Sequence, residues 1–495
     1  MEEFAEKVHT TIWYIPLFGT RSMWYTTLFR FRKVGTNNNY LRVRSLEEGL
    51  LGLFMSSSQQ QIVGALRPTQ SAHRRTTLLD GLWHFITDPD DGRRDSCRAG
   101  LPIEERVPIA VPASWNEQMP ELDHFLGPAF YERDVYPPLG LEPEHTACIL
   151  RFGSVNYKAE VFINGHLAGR HEGGHLPFEV DATPYLHDGK VPSKLVVRVD
   201  GRLERSHVPP GGGWGAMAPG CFPSSSFDFY PFCGIQRSVQ MCTRPAKGLT
   251  GFSMSVSLLG PRGVTADAAT TAFVVRVSPD SPAKFVTACL ALLDDPTEYS
   301  CQAPVGSDSL ARLEIEVPNP RLWGPGTPHL YRLRIHASVT PHAMPMDTYE
   351  QSVGLRTVQV VSDGLLVNGA RIEMRGFGRH EDFPLIGRGD CGAVLVRDHA
   401  CLRWVGANSY RTAHYPYSEV DLELADEHGI LVVSESPCVG LSYTDAPPTI
   451  VARQTQALGA MRELLERDCN RACVVAWSVC NEPGELRTMT ENSLL

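Results

Sequence analysis

Glu482 directly follows Asn481 and a run of apolar residues, Val474 to Val479, that contains Trp477. A carboxylate at the end of a buried strand suits general acid work. Burial raises its pKa, so it stays protonated near neutral pH until it donates to a leaving oxygen. Asn481 beside it is placed to hold a substrate hydroxyl. Three more polar clusters stand upstream, each behind a short apolar run: Arg379-His380-Glu381-Asp382, Arg411-Thr412-Ala413-His414-Tyr415, and Glu435. Any one alone reads equally well as a cap or an ion pair. Their common position, after successive apolar runs, is what suggests a pocket. No metal or cofactor is expected. The 13 cysteines lack the paired spacing of a zinc site and are read as buried free thiols, with Cys469 and Cys473 sharing a predicted helix.

The elements that must position these residues change in kind along the chain. Residues 1–65 show no strong periodicity, with Asn37-Asn38-Asn39 and a Ser/Gln run from Ser56 to Gln61, and are expected to be a disordered leader. Short alternating runs follow. Phe130 to Val135, Ala159 to Ile163 and Leu195 to Val199 read as strands, and Asn164-Gly165 as a hairpin turn. This β-sandwich block closes near Thr243. A second strand-rich block, 244–354, has the length of an immunoglobulin-like sandwich. From Leu355 strands alternate with helices. Strands are predicted at Ile372 to Phe377, Asn408 to Arg411, Ile430 to Ser434 and Val474 to Val479. Helices are predicted at Val394 to Val405, Glu419 to His428 (ended by Gly429) and Ile450 to Arg467. Repeated βα units imply a parallel sheet or a (β/α) barrel, whose chemistry lies at the C-terminal strand ends. A whole barrel takes about 250 residues, so about four strands, half a barrel, are expected within 355–495.

The composition is that of a multidomain globular chain of 495 residues, 42% hydrophobic and 21% charged. The net charge of -10 argues against a nucleic-acid surface. No stretch has the roughly 20 apolar residues of a membrane helix. The acidic start is not that of a secretory signal, and no N-glycosylation sequon is present.

At these residues the sequence resembles glycoside hydrolase family 2. The segment WSVCNEPGE is similar to that family's acid/base motif, and GFGRHED, ANSYRTAHYPYSE and ADEHGILVVSESPCVGL to its first three strand ends. LDGLWHF, FYERDV, HEGGHLPFEVD and FDFYPFCGIQRSV look like its sugar-binding-like jelly roll, and LWGPGTPHLYRLRI and VGLRTV like its second sandwich. The resemblance implies a jelly-roll domain over 66–243, an immunoglobulin-like β-sandwich over 244–354 and the N-terminal half of a TIM barrel over 355–495. Asn-Glu-Pro and His-Tyr-Pro-Tyr favour the β-glucuronidases within the family over the β-galactosidases, which usually carry Asn-Glu-Ser.

By that resemblance Glu482 is the acid/base of a retaining hydrolase of terminal β-glucuronosides. Asn481, His380 and Asp228 contact the sugar, and Arg411 and His414 shape the pocket. A retaining glycosidase needs two carboxylates about 5–5.5 Å apart, and the family places its nucleophile on a later strand. Glu381 and Glu435 are supporting positions. The chain alone is therefore expected to be inactive, with unpaired strand edges in its third domain. The alternatives are a non-catalytic fragment or splice form that binds glycans or a partner, and another family 2 specificity such as β-galactosidase. The resemblance further implies a homo-oligomer and, in animals, the lysosome. One departure stands out: Ser434 precedes Glu435 where the family usually has aspartate, which is expected to disturb local hydrogen bonding.

Overall fold

The computed structural model describes residues 11–14, 62–212, 227–259, 267–362, 364–441 and 445–482. The Ser/Gln run and Pro483 lie outside them. In the first sandwich a six-stranded antiparallel sheet faces a four-stranded one. The larger sheet runs His166–Glu172, Lys158–Ile163, Ser193–Asp200, Pro128–Val135, Gly81–Thr87, Val107–Val111. The smaller runs Phe178–Asp181, Thr146–Phe152, Val239–Pro245, Arg75–Leu78. Trp83, Phe85, Trp115, Tyr131 and Phe152 fill the space between them. Asn164 and Gly165 make the hairpin turn with φ of 49° and 81°, the left-handed pair that such a turn requires.

The second sandwich also packs two four-stranded sheets. Its strand Leu310–Pro318 shows how alternation builds a half-buried face. Ala311, Leu313, Ile315 and Val317 point into the core, while Arg312, Glu314 and Glu316 point out.

The third region opens with a three-stranded meander, Val358–Val361, Gly364–Val367 and Ala370–Ile372. Four parallel strands follow: Gly376–Gly378, Ser409–Arg411, Leu431–Glu435 and Val474–Asn481. Between them run the helices Gly392–Trp404, Glu419–His428 and Pro447–Asp468. Ser418 caps the second helix by accepting the Asp421 amide, and Gly429 ends it at φ 68°. The strand expected over Ile372 to Phe377 is two elements. Ile372 ends the meander and Gly376 starts the parallel sheet; between them the Arg375 amide donates to Asn408 Oδ1 and the Arg375 carbonyl accepts from the Asn408 amide. The helix expected to hold both Cys469 and Cys473 ends at Asp468. Cys473 lies past a turn, its amide donating to the Asp426 carboxylate. Thr11–Tyr14 pairs antiparallel with the outer edge of Val474–Asn481. No helix among the described residues is long and apolar enough to cross a membrane.

Gly376 is required by a close approach. A Cβ built there would lie 1.8 Å from the Ser409 carbonyl oxygen across the sheet. Gly376→Ala is expected to cost about 3 kcal/mol through overpacking, read as a lower denaturation midpoint. An unchanged midpoint would show that the first two parallel strands are not paired at this register.

Candidate active site

The four strands end side by side, and the last residues of the second, third and fourth form one hydrogen-bonded floor. Arg411 ends the second strand and Glu435 the third. The Arg411 guanidinium donates to both Glu435 carboxylate oxygens, from Nε at 2.8 Å and Nη2 at 2.9 Å, and to the Asn481 side-chain oxygen at 2.7 Å. Ser478 donates its hydroxyl to Glu435 as well, and the Glu435 amide donates to Thr412 Oγ1 at 2.8 Å. Glu435 is fully buried. A carboxylate so enclosed persists only because each oxygen meets charge-assisted donors. Asn481 is fixed a second time by its amide, which donates to the Cys438 carbonyl. The register of Arg411, Glu435 and Asn481 at three neighbouring strand ends thus sets where Glu482 begins. Glu482 itself is exposed and turns away from the strand at φ 43°. It is not enclosed by the described residues in the way the buried strand before it suggests.

His414 continues the floor. Its Nδ1 lies 2.8 Å from Glu435 Oε1 and 3.2 Å from Arg411 Nη2. His380, after the first strand, meets His414 edge to face at 5.5 Å. Desolvation, and then the neighbouring His414, push the His380 imidazole below its usual pKa. Asp228 reaches this place from the first sandwich. Its flanking residues Phe227 and Phe229 are buried, and Phe229 packs edge to face on Tyr415 at 5.0 Å. The aspartate is 76% exposed, with Oδ1 4.0 Å from His414 Nε2. Five of the six residues singled out in the sequence are thus linked by the distances above, and Glu482 follows Asn481 directly along the chain. Arg411, His414, Asn481 and Glu435 are joined by hydrogen bonds, while His380 and Asp228 approach without a direct bond to that network.

The wall behind them involves residues that sequence reasoning did not select. Arg237 of the first sandwich donates to Glu381 at 3.0 Å and to the Pro416 carbonyl at 2.7 Å. Arg388 lies over the Tyr415 ring at 3.9 Å and over Phe229 at 4.8 Å. His175 stacks on Tyr415 at 5.0 Å; burial, then Arg388 and Arg237, hold its pKa well below normal. These contacts lock the sandwich loop to the strand ends. Only their proximity in space reveals them, because the partners are far apart in sequence.

The serine at 434 has a structural consequence. Its hydroxyl is completely buried and finds no hydrogen-bond partner among the described residues. Ser434→Ala removes an unsatisfied polar group, so it is expected to leave stability unchanged or raise it by about 1 kcal/mol. A loss of that size in chemical denaturation would show that the hydroxyl has a partner.

Comparisons with known proteins bear on the family and on the order of the three regions. Three family models match in order: "Glycosyl hydrolases family 2, sugar binding domain" at residues 76–245, "Glycosyl hydrolases family 2" at 264–356, and "Glycosyl hydrolases family 2, TIM barrel domain" at 358–492. The chain is 34% identical over 442 residues to the dog protein named beta-glucuronidase, covering 85% of this chain and 65% of that one. It is 32% identical over 444 residues to the human beta-glucuronidase, covering 85% and 66%. The chain thus spans about two thirds of the length of these relatives. Among solved structures it is similar to Bifidobacterium dentium beta-glucuronidase complexed with coumarin-3-O-glucuronide, at 33% identity and a TM-score of 0.77, covering 85% of this chain and 70% of that one. A Ruminococcus gnavus b-glucuronidase in complex with D-glucaro 1,5-lactone aligns at 29% identity and a TM-score of 0.75, covering 86% and 69%. Matching models for all three successive regions, together with relatives above 30% identity, show that the chain belongs to glycoside hydrolase family 2.

Proposed function

We propose that this chain supplies the sugar-binding floor and the acid/base of a retaining β-glucuronoside hydrolase. The observation that carries the reading is the Arg411–Glu435–Asn481 network, which holds Asn481 and the start of Glu482 in one place at the strand ends. Relatives named beta-glucuronidase, and a neighbour solved with a coumarin glucuronide, support the glucuronide specificity. In this reading Glu482 protonates the departing oxygen and later takes a proton from water. Asn481, His380 and Asp228 hold the ring, and Arg411 and His414 position them.

The nucleophile is a second carboxylate. Among the described residues the other strand-end glutamates are committed: Glu435 to Arg411, His414 and Ser478, Glu381 to Arg237 and the Ser418 amide. The reading therefore assigns the nucleophile to a residue outside the described ones, on further strands of the barrel. The exposed Phe377, Val396 and Trp404, on the first parallel strand and first helix, are the apolar surface such strands would cover.

The test is release of 4-methylumbelliferone from its β-D-glucuronide by the protein purified from its natural source, beside the β-D-galactoside. Preference for the glucuronide by about a thousand-fold or more, beyond what one pocket methylene supplies, is the expected result. Equal rates, or a preference for the galactoside, overturn the specificity. The lysosome and a homo-oligomer belong to the same proposal and rest on the resemblance to the family alone.

A further inference from the structure

Asp228, His380 and His414 bring together a donor set that no linear spacing shows. One carboxylate oxygen and one ring nitrogen from each imidazole lie within 4.8 Å of one another. Two imidazoles and a carboxylate are the ligands of a borderline divalent cation that keeps open positions for water. Ligand atoms on one tetrahedral ion, at about 2.0–2.2 Å from the metal, sit roughly 3.4 Å apart. Asp228 Oδ1 and His414 Nε2 are 4.0 Å apart and no pair in the set is farther than 4.8 Å, so closure needs a movement of at most about 1.4 Å. Asp228 is largely exposed and has the freedom to make it.

A second observation comes from behind His414. Ligating histidines in metal sites give their other ring N–H to a carboxylate, which fixes the tautomer and the ring. Glu435 Oε1 lies 2.8 Å from His414 Nδ1, and Glu435 is itself held by Arg411, Ser478 and Thr412. Arg411 has acceptors for its own protons in Glu435 and Asn481. The Nδ1 proton of His414 therefore goes to Glu435, and Nε2 presents its lone pair toward Asp228. Pairing with Glu435 also offsets the charge of Arg411, while Arg388 is the other cation felt at His380. Tyr415 OH is 3.5 Å from His380 Nδ1, too long to hold that ring to one tautomer.

We propose that Asp228, His380 and His414 form a binding site for one Zn2+-class divalent cation beside the strand ends. Because the same three side chains line the sugar site, the bound cation and the sugar exclude each other; this last clause rests on the proposed function, whereas cation binding itself does not.

The experiment is calorimetric titration of Zn2+ into the reduced protein. One ion per chain is expected, with affinity falling by about ten-fold or more in Asp228→Ala and in His380→Ala. Both side chains are exposed, so melting temperatures are expected to stay unchanged and to separate ligand loss from misfolding. Cys401→Ser, which removes the one thiol exposed among the described residues, is expected to leave the affinity as it was. The absorption of the Co2+-loaded protein is expected to lack a sulfur charge-transfer band. Zn2+ affinity that survives in both ligand variants, an affinity lost in Cys401→Ser, a sulfur band with Co2+, or no uptake at millimolar Zn2+ each overturn the site.

Discussion

Replacing Glu482 with glutamine is expected to lower turnover of an aryl β-glucuronide by about 10²–10⁴-fold, the share that a positioned general acid supplies, in the polypeptide that also carries the second carboxylate. The loss is expected to be largest for poor leaving groups, which need the proton, and smallest for nitrophenol-type ones, which leave without it. Glu482 is exposed and lies one residue beyond the strand Val474–Asn481, and glutamine keeps its size and its hydrogen-bonding oxygen. The substitution should therefore leave the melting temperature unchanged. That pairing of readouts is what separates the acid/base role from a structural one. A rate loss equal for all leaving groups, or accompanied by a fall in stability, would place Glu482 in the scaffold. The other three strand-end sites predict the opposite pattern, because Arg411, Glu435 and Asn481 hold one another.

How much of this was legible before the structure depends on the range of the interaction. The helix Glu419–His428 was readable to the residue, because its stop signal Gly429 is local and its cap Ser418 adjoins it. The strand ends were readable because apolar runs stop where the pocket starts. The break between Ile372 and Gly376 was not, since both halves are short and the separating turn is made by a contact with Asn408. Nor was the wall: Arg237 meets Glu381 and Arg388 meets Phe229 across the boundary between sandwich and parallel sheet. Asp228 came into view only through resemblance. Physically its place is set by Phe227 and Phe229, two buried rings whose destination a sequence does not reveal. The Asp228–His380–His414 donor set is the extreme case. Its three members come from three separate segments, so a search for ligand spacing passes over it.

Arg411→Ala is expected to destabilise the third region by about 3–5 kcal/mol, the cost of leaving a buried charge unpaired. Glu435 is fully buried, and Arg411 supplies hydrogen bonds to both its oxygens; Ser478 and His414 remain, but neither carries a permanent positive charge. The lost guanidinium also frees the Asn481 side chain. Adding Glu435→Gln to Arg411→Ala removes the orphaned charge while keeping the volume. The double variant is therefore expected to recover a large part of the stability lost by the single one. Sugar binding should not recover, because Asn481 stays unfixed. Urea denaturation of the two variants, beside calorimetric binding of D-glucaro-1,5-lactone in the polypeptide that carries the whole pocket, reads both halves of this expectation. If the double variant is less stable than Arg411→Ala, the network is held by shape and hydrogen bonding rather than by the charge on Glu435, and the strand ends owe their register to packing alone.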